Sequence, residues 1–372
     1  MTCHQCGHHH GTAVDKAPAT PRMPFVTIDM HCHLLAPAAE AMVAAHPSRK
    51  AELDVQARSQ GAASMQHNAS MREAIGGRLT NVAQRIEDMD RLGIDVQVLS
   101  PSPTQYFHWA GEALAAQIAQ AQNDAIEAAC KHSPERFIGL AAVSLQHPAL
   151  AARQLRDAVE RRGFKGAQIS SDPTGRGLDD PALEVFWQEA EALGNVVFLH
   201  PLGTSLGERV NRYYLSNILG QPLETTVALS ELIFGGVLDR FPRLKICAAH
   251  GGGYLPNAIG RSDHGFGVRP EAAGCAGAPS HYLRRIWYDT VVFRADALRN
   301  LIEVAGLGQI VAGTDYPFDM GEYDLHALLR ELADSGSSDA AENILGLNAQ
   351  RLLGIDASHP AIVAARLTLG IR

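Results

Sequence analysis

The stretch Ile28-Asp29-Met30-His31-Cys32-His33 closes a short apolar run and is typical of the end of a buried β-strand. Because side chains alternate across a strand, His31 and His33 share one face while Cys32 points to the other. Two neighbouring imidazoles on one face can chelate a divalent cation. Taken alone, the pattern has a second interpretation, in which both histidines only hydrogen-bond to water or backbone.

The rest of the chain repeats this kind of strand in alternation with helical stretches. Several of the runs are almost continuously apolar, as parallel strands buried on both faces should be. Eight strands alternating with helices predict a closed (β/α)8 TIM barrel of the α/β class, with an open doubly wound sheet as the alternative. The strands are predicted at 25–30, 94–100, 137–143, 167–170, 196–200, 244–250, 286–290 and 309–315. The helices are predicted at 83–92, 113–131, 148–162, 182–193, 225–240, 295–305 and 323–333.

A length of 372 residues suits one barrel with insertions, so residues 24–372 are predicted to form a single domain. Residues 46–80 fit neither helix nor strand cleanly and are interpreted as a long insertion after the first strand. Residues 203–221 are a second such insertion, and 340–372 are predicted to be helices outside the barrel.

Residues 1–23 are predicted to be a flexible tail, since they offer almost nothing to bury. The tail contains Cys3, His4, Cys6 and the run His8 to His10. These thiols and imidazoles could bind a transition metal. The alternative is a disordered leader that picks up metal adventitiously.

Charge and cysteine usage narrow the classes of partner. The formal net charge is −8 and basic residues do not cluster, which disfavours nucleic-acid binding. No apolar run reaches the roughly 18 residues of a membrane helix, so no membrane association is predicted. The six cysteines show no disulfide framework, which favours a cytoplasmic location.

Three more polar residues follow predicted strands, namely His200, His250 and Asp315. Each has an ordinary interpretation, because a histidine after an apolar strand is often a satisfied core residue and an aspartate is often a turn former. In barrels, however, the reacting groups come from the carboxyl ends of several strands. Together with His31 and His33, these residues therefore predict one metal site at the barrel mouth.

The same motifs carry a resemblance to a known family. His31-Cys32-His33, His200-Pro201, His250-Gly251-Gly252-Gly253 and the run at 313–318 resemble the amidohydrolase superfamily. More narrowly, they are similar to the aminocarboxymuconate-semialdehyde decarboxylase group, and the likeness extends over about residues 25–355.

This resemblance implies a role for each motif. It implies that His31, His33, His200 and Asp315 hold one divalent metal ion, with Asp315 also belonging to the catalytic set. It implies that His250 acts on metal-bound water as a proton carrier near neutral pH. The ligand types favour Zn²⁺, with Mn²⁺ or another divalent ion as the alternative.

The resemblance also implies residues that bind the substrate carboxylate. Arg72 and Arg261 match arginines that clamp carboxylates, and Arg261 would reach the site of the partner subunit in a homodimer. Their ordinary interpretation is that both are surface or structural arginines. Tyr213, Tyr214 and Asn217 stand where the family has tryptophans, so the pocket wall is expected to be more polar, with Tyr214 contacting substrate. Further aromatic walls are expected from Phe293, Tyr316 and Phe318, whose ordinary interpretation is packing at strand ends.

The predicted function is metal-dependent, non-oxidative decarboxylation of an unsaturated or aromatic carboxylic acid, resembling aminocarboxymuconate semialdehyde or a hydroxybenzoate. The alternative is a hydrolase or hydratase acting on C–C, ester or lactone bonds or on double bonds, because the fold alone does not separate these chemistries. A third hypothesis is a non-enzymatic metal-binding or scaffold protein, which would lack a ligand or His250.

Overall fold

Nine short strands form the eight strand positions of a parallel barrel. The computed structural model describes residues 12–17, 21–334 and 340–371. Nearly every strand residue is buried, which accounts for the continuous apolar runs in the sequence. The strands are β1 (Ile28–Leu34), β2 (Val96–Pro101), β3 (Phe137–Gly139), β4 (Ala141–Ala142), β5 (Gly166–Ile169), β6 (Val196–Leu199), β7 (Lys245–Ala248), β8 (Trp287–Asp289) and β9 (Ile310–Val311).

The strands pair in sequence order and close on themselves. The strands pair in parallel in the orders β1-β2-β3 and β4-β5-β6-β7-β8-β9. Strands β3 and β4 occupy one position in the barrel and are separated only by Leu140. The circle closes where the Met30 N–H donates to the Ala312 carbonyl at 2.8 Å and the His33 N–H donates to the Tyr316 carbonyl at 2.9 Å. These bonds confirm the predicted barrel and exclude the open sheet.

Sixteen helices occur in the described ranges, and most surround the barrel. They are α1 (Ala13–Lys16), α2 (Pro37–Val43), α3 (Pro47–Thr80), α4 (Val82–Leu92), α5 (Glu112–His132), α6 (Pro148–Arg162), α7 (Glu184–Leu193), α8 (Gln221–Phe234), α9 (Val237–Arg240), α10 (Leu255–Val268), α11 (Pro279–Leu283), α12 (Ala295–Ala305), α13 (Leu325–Asp334), α14 (Ala340–Glu342), α15 (Asn348–Leu353) and α16 (Pro360–Leu369). None of these helices combines the length and the apolar composition that crossing a bilayer requires.

Two apolar cores hold these layers together. One fills the barrel and includes Met30, Val98 and Phe198, joined by Leu352 of α15 and Ile362 of α16. Residues 340–372 were predicted to form helices outside the barrel. The described part is helical, and these contacts cover the end of the barrel opposite the mouth. The other core packs the outer faces of the strands against the surrounding helices.

Several predicted boundaries move for local reasons. The first strand was placed at 25–30, but β1 continues to Leu34 and so contains both His31 and His33. The last strand ends at Val311 and not at the predicted Asp315, which has a φ of 59° that an extended strand does not accommodate. The helix predicted at 225–240 is divided into α8 and α9 by Gly236, whose φ is 67°.

The first insertion is helical, which corrects the interpretation that 46–80 forms neither element. Helix α3 has 34 residues, and its buried positions include the polar Ser59, Asn68 and Arg78. The helix lies across the barrel mouth and buries polar side chains there, so it lacks the apolar stripe from which helices are recognised in sequence. It kinks at Gly61, which has a φ of 77°.

The described part of the N-terminal segment packs on the barrel. Val14 of α1 is fully buried, and Thr12 and Asp15 both accept hydrogen bonds from the Arg78 guanidinium. Residues 12–17 thus contact the domain, whereas the prediction of a separate tail placed them outside it. Cys3, His4, Cys6 and the run His8 to His10 lie outside the described residues, and the boundary at residue 24 stays a prediction.

The kink of α3 yields a test of how the mouth is built. A Cβ at Gly61 would lie 2.0 Å from the Asn211 carbonyl oxygen, and the positive φ adds strain. Gly61→Ala is therefore expected to lower the free energy of unfolding by about 1–3 kcal/mol, measured by urea denaturation.

Gly76→Ala in the same helix is the matched control. Its added Cβ meets nothing within 4 Å, so the substitution should raise stability by about 0.5–1 kcal/mol. Equal stability of Gly61→Ala and the unsubstituted protein would show that the kink is not held against Asn211.

Candidate active site and metal centre

Four strands bring the predicted site residues together at one end of the barrel. His31 and His33 belong to β1, His200 directly follows β6, and His250 lies two residues beyond β7. Asp315 follows β9. Since parallel strands of a barrel all end on the same face, these distant positions in the sequence converge.

The convergence is close enough for one ion. Ligand atoms of His31, His33, His200 and Asp315 all lie within 4.8 Å of one another. The Nε2 atoms of His31 and His33 are 3.1 Å apart, and they lie 3.3 and 3.2 Å from Oδ1 of Asp315. The exposed fractions of the four residues are 0%, 0%, 4% and 7%, so the cluster is shielded from water.

Asp289, at the end of β8, is a candidate site residue that the sequence analysis missed. Its Oδ2 lies 2.5 Å from Nδ1 of His31 and also accepts the His250 N–H at 3.0 Å. Its Oδ1 accepts the Gly251 N–H at 2.8 Å. One buried carboxylate thus orients a candidate ligand and the backbone that carries His250. An acid at the end of an otherwise apolar strand was the available signal.

The second β1 histidine is oriented in the same way. Nδ1 of His33 lies 3.1 Å from Oγ of Ser100 and 3.3 Å from the Pro101 carbonyl oxygen. A proton on Nδ1 that is donated to such an oxygen leaves the lone pair on Nε2. Both Nε2 atoms therefore face the centre of the cluster as potential ligands.

The pKa shifts of the cluster residues show that its buried carboxylate depends on positive charge nearby. Burial opposes protonation of His31, but the Asp315 charge and the bond to Asp289 prevail and raise its pKa to about 10 in the absence of an ion. Burial lowers the pKa of His33 to about 4. Burial alone would raise the pKa of Asp315, yet His31 and the hydrogen bonds of the neighbouring histidines lower it well below its usual range.

The residues fit a divalent ion. Neither ring nitrogen of His200 has a hydrogen-bond partner among the described residues, although the side chain is buried. A buried polar atom without a partner is costly, and coordination of a cation would satisfy it. Three imidazoles with one carboxylate are also a common ligand set for such an ion. The cluster therefore supports binding of a divalent metal ion.

His250 stands beside the cluster and faces open space. Its Nε2 lies 3.5 Å from Oδ2 of Asp315, and its side chain is 17% exposed. The following residues Gly251, Gly252 and Gly253 all have positive φ, which lets the chain turn sharply there. His250 can thus exchange a proton with a molecule that lies next to Asp315.

Two cavities meet at this point. The polar chamber, about 130 Å³, is lined by residues of α3 and of the 203–221 insertion, including Arg72 and Tyr214, and by Phe318 beyond β9. The apolar chamber, about 320 Å³, is lined among others by Ile218, Val292 and Phe293. His250, Asp315, Asn217, Gln221 and Met320 border both chambers.

The predicted substrate residues fall into two groups. Arg72 and Tyr214 line the polar chamber, and burial together with the charges of Asp319 and Asp315 raises the pKa of the Tyr214 hydroxyl, which stays a donor. Arg261 is exposed on α10 and lines neither chamber of its own chain.

The expected aromatic walls are present in part. Phe318 lines the polar chamber and Phe293 the apolar chamber. Tyr316 forms no wall, because it is fully buried and its hydroxyl donates to Asp88 at 2.8 Å.

The sequence matches a known protein family over most of its length. The sequence profile of the amidohydrolase family matches residues 28–355. The chain belongs to the amidohydrolase family. This match includes every residue of the metal cluster, along with His250 and Asp289.

Several relatives of this amidohydrolase are named decarboxylases. The 2-amino-3-carboxymuconate-6-semialdehyde decarboxylase of Dictyostelium discoideum is 38% identical over 274 residues, covering 73% of this chain and 76% of that one. The gamma-resorcylate decarboxylase of Rhizobium radiobacter is 30% identical over 251 residues, covering 63% and 76%. The crystal structure of 5-carboxyvanillate decarboxylase from Sphingomonas paucimobilis superimposes with a TM-score of 0.75 at 25% identity, covering 89% of this chain and all (100%) of that one.

Asp289 provides a test of the cluster. Asp289→Asn removes the negative charge that holds Nδ1 of His31, so metal affinity should fall by about 10- to 100-fold. Competition with a coloured chelator measures this change without recourse to activity.

Asp296→Asn is the charge-matched control, because Asp296 is exposed and its only described side-chain partner is Arg294, at 2.6 Å. Its metal affinity should equal that of the unsubstituted protein. If Asp289→Asn also binds metal normally, then Asp289 does not orient a ligand.

Proposed function

We propose that this amidohydrolase is a metal-dependent decarboxylase that releases CO₂ without oxidation from an unsaturated or aromatic carboxylic acid. The observation that carries the proposal is the position of His250, beside Asp315 and open to both chambers. The names of the relatives support the reaction class. The non-enzymatic hypothesis expected a ligand or His250 to be missing, and all five residues are present together.

The reaction requires charge stabilisation and one proton transfer. A bound divalent ion would act as a Lewis acid toward an oxygen of the substrate. The bond between the ring or alkene carbon and the carboxylate carbon breaks, CO₂ leaves, and the electron pair stays on the carbon. We assign delivery of the replacing proton to Nε2 of His250, because that atom lies 3.5 Å from Oδ2 of Asp315 and the residue borders both chambers.

Substrate orientation is assigned to the walls of the polar chamber. Arg72 supplies a guanidinium that can bind a carboxylate through two hydrogen bonds. The Tyr214 hydroxyl adds a neutral donor on the opposite insertion. Because Arg261 lines neither chamber of its own chain, we propose that it enters the site of a partner subunit in a homodimer.

The identity of the ion and the location of the enzyme complete the proposal. Zn²⁺ is proposed because imidazole and carboxylate ligands in a compact, buried set suit it, with Mn²⁺ as the alternative ion. A cytoplasmic location is proposed because Cys32, Cys130, Cys247 and Cys275 are free thiols, as a reducing compartment would keep them.

The decisive experiment measures CO₂ release on protein of known metal content. Muconate semialdehydes and hydroxybenzoates form the panel, and ultraviolet absorbance follows their consumption. We expect metal-dependent CO₂ release that His250→Ala lowers by at least about 100-fold while metal content is unchanged.

Stoichiometric metal without CO₂ from any acid of the panel would contradict the decarboxylase. Consumption of an ester, lactone or alkene by the same protein would then establish the hydrolase or hydratase alternative.

The shared site is tested by pairing two inactive chains. His250→Ala and Arg261→Ala chains with different tags are co-expressed, and the mixed dimer is purified through both tags. One of its two sites then has an intact His250 and an intact partner arginine, so about half of the activity should return. Failure to isolate a mixed dimer, or an inactive mixed dimer, would refute the shared site.

A further inference from the structure

Apart from the metal cluster and His250, the polar chamber contains three hydrogen-bond acceptors for which no described residue supplies a donor. They are Oδ1 of Asn68, Oε1 of Gln221 and Oδ1 of Asp319. All three residues line the chamber that His250 and Asp315 border. None of the three belongs to the metal cluster, so the proposed metal does not account for them.

In Asn68 of α3, the donor end of the side-chain amide has a partner, and the acceptor oxygen has none among the described residues. Its Nδ2 donates to Oε1 of Gln60 at 2.9 Å, so the donor end of the amide is occupied. The residue is only 8% exposed, and its oxygen is shielded from bulk water. A buried acceptor in this state needs a donor from a bound molecule or from a trapped water.

Asp319 has the same arrangement, with a carboxylate in place of the amide. One of its oxygens, Oδ2, pairs with Nε2 of His67 at 2.9 Å on the outer side. The other oxygen, Oδ1, has no donor within the described part of the chain. Gln221 borders both chambers, as His250 does, and it contributes the third oxygen.

These acceptors restrict what the chamber can receive. A carboxylate has only acceptor atoms, so it cannot donate a hydrogen bond to Oδ1 of Asn68, Oε1 of Gln221 or Oδ1 of Asp319. Within this chain, Arg72 is the one lysine or arginine among the residues that line the polar chamber, and it suits a carboxylate, as the partner subunit's Arg261 would. Ligand substituents that carry N–H or O–H groups would pair with these oxygens directly.

We propose that Asn68, Gln221 and Asp319 are specificity-determining residues that accept hydrogen bonds from amino or hydroxyl substituents of the substrate. This inference rests on the proposed function, since it defines the substrate class of the same site. The favoured ligand is a carboxylic acid with neutral or cationic donor groups on the ring or chain. Acids with methyl groups or further carboxylates at those places are disfavoured.

Equilibrium binding tests the proposal without requiring turnover. The metal-loaded chain is titrated calorimetrically with benzoates that carry a hydroxyl, an amino or a methyl group at the same ring position, for each position in turn. At one position or more, the hydroxyl or amino ligand should bind at least about tenfold more tightly than its methyl counterpart.

Near-isosteric substitutions identify the acceptors. Asp319→Leu, Gln221→Met and Asn68→Leu should each reduce the preference for the donor group at least about threefold, because the methyl ligand then leaves no acceptor unpaired. Three independent variants keep the test informative if one of them does not fold. Glu73→Leu is the control, since Glu73 is an exposed acid of α3 that lines neither chamber.

The outcomes separate this inference from the reaction itself. Equal affinity for methyl and hydroxyl ligands at every position would show that the acceptors hold only water, and it would overturn the proposal. An unchanged preference in all three variants would overturn it as well. Absence of CO₂ from every acid would contradict the decarboxylase while leaving a measured donor preference intact.

Discussion

The contact between Asp289 and His31 is the constraint on which the site depends. A carboxylate of β8 and an imidazole of β1 lie 2.5 Å apart in a fully buried environment. The same carboxylate accepts two backbone N–H groups from the turn that carries His250. A charge with these partners is tolerated in the interior, whereas an isolated one would not be.

Asp29 supports the opposite side of the cluster. Its oxygens accept the His31 N–H at 3.1 Å and the Thr314 hydroxyl at 2.7 Å, which connects β1 to the loop that carries Asp315. Burial raises the pKa of Asp29 to about 6, with the hydrogen bonds opposing that rise. Together, Asp29 and Asp289 hold the mouth of the barrel at the seam where the strands close. The positions of the ligands and of His250 are therefore determined jointly with closure of the barrel.

The two long insertions determine what reaches this centre. Helix α3 approaches the 203–221 insertion at Gly61, where no side chain would fit beside the Asn211 carbonyl. Their facing surfaces are rich in amides and hydroxyls, and they leave donors and acceptors for a ligand. In the proposed function, the chemistry is supplied by the strand ends and selectivity by segments that do not belong to the barrel. Such a division allows relatives to share a reaction centre and to differ in substrate.

The sequence by itself determined the barrel and the residues of the metal cluster. Strand periodicity is local, and polar residues that directly follow apolar strands can be recognised without knowledge of the fold. The helical form of α3 was not recognisable, because its buried face is polar and gives no apolar stripe. Only the tertiary structure decided the role of Asp289, which meets His31 across 258 positions of sequence. It alone also revealed that Asn68, Gln221 and Asp319 have unpaired acceptors, because hydrogen-bond satisfaction depends on neighbours that are distant along the chain.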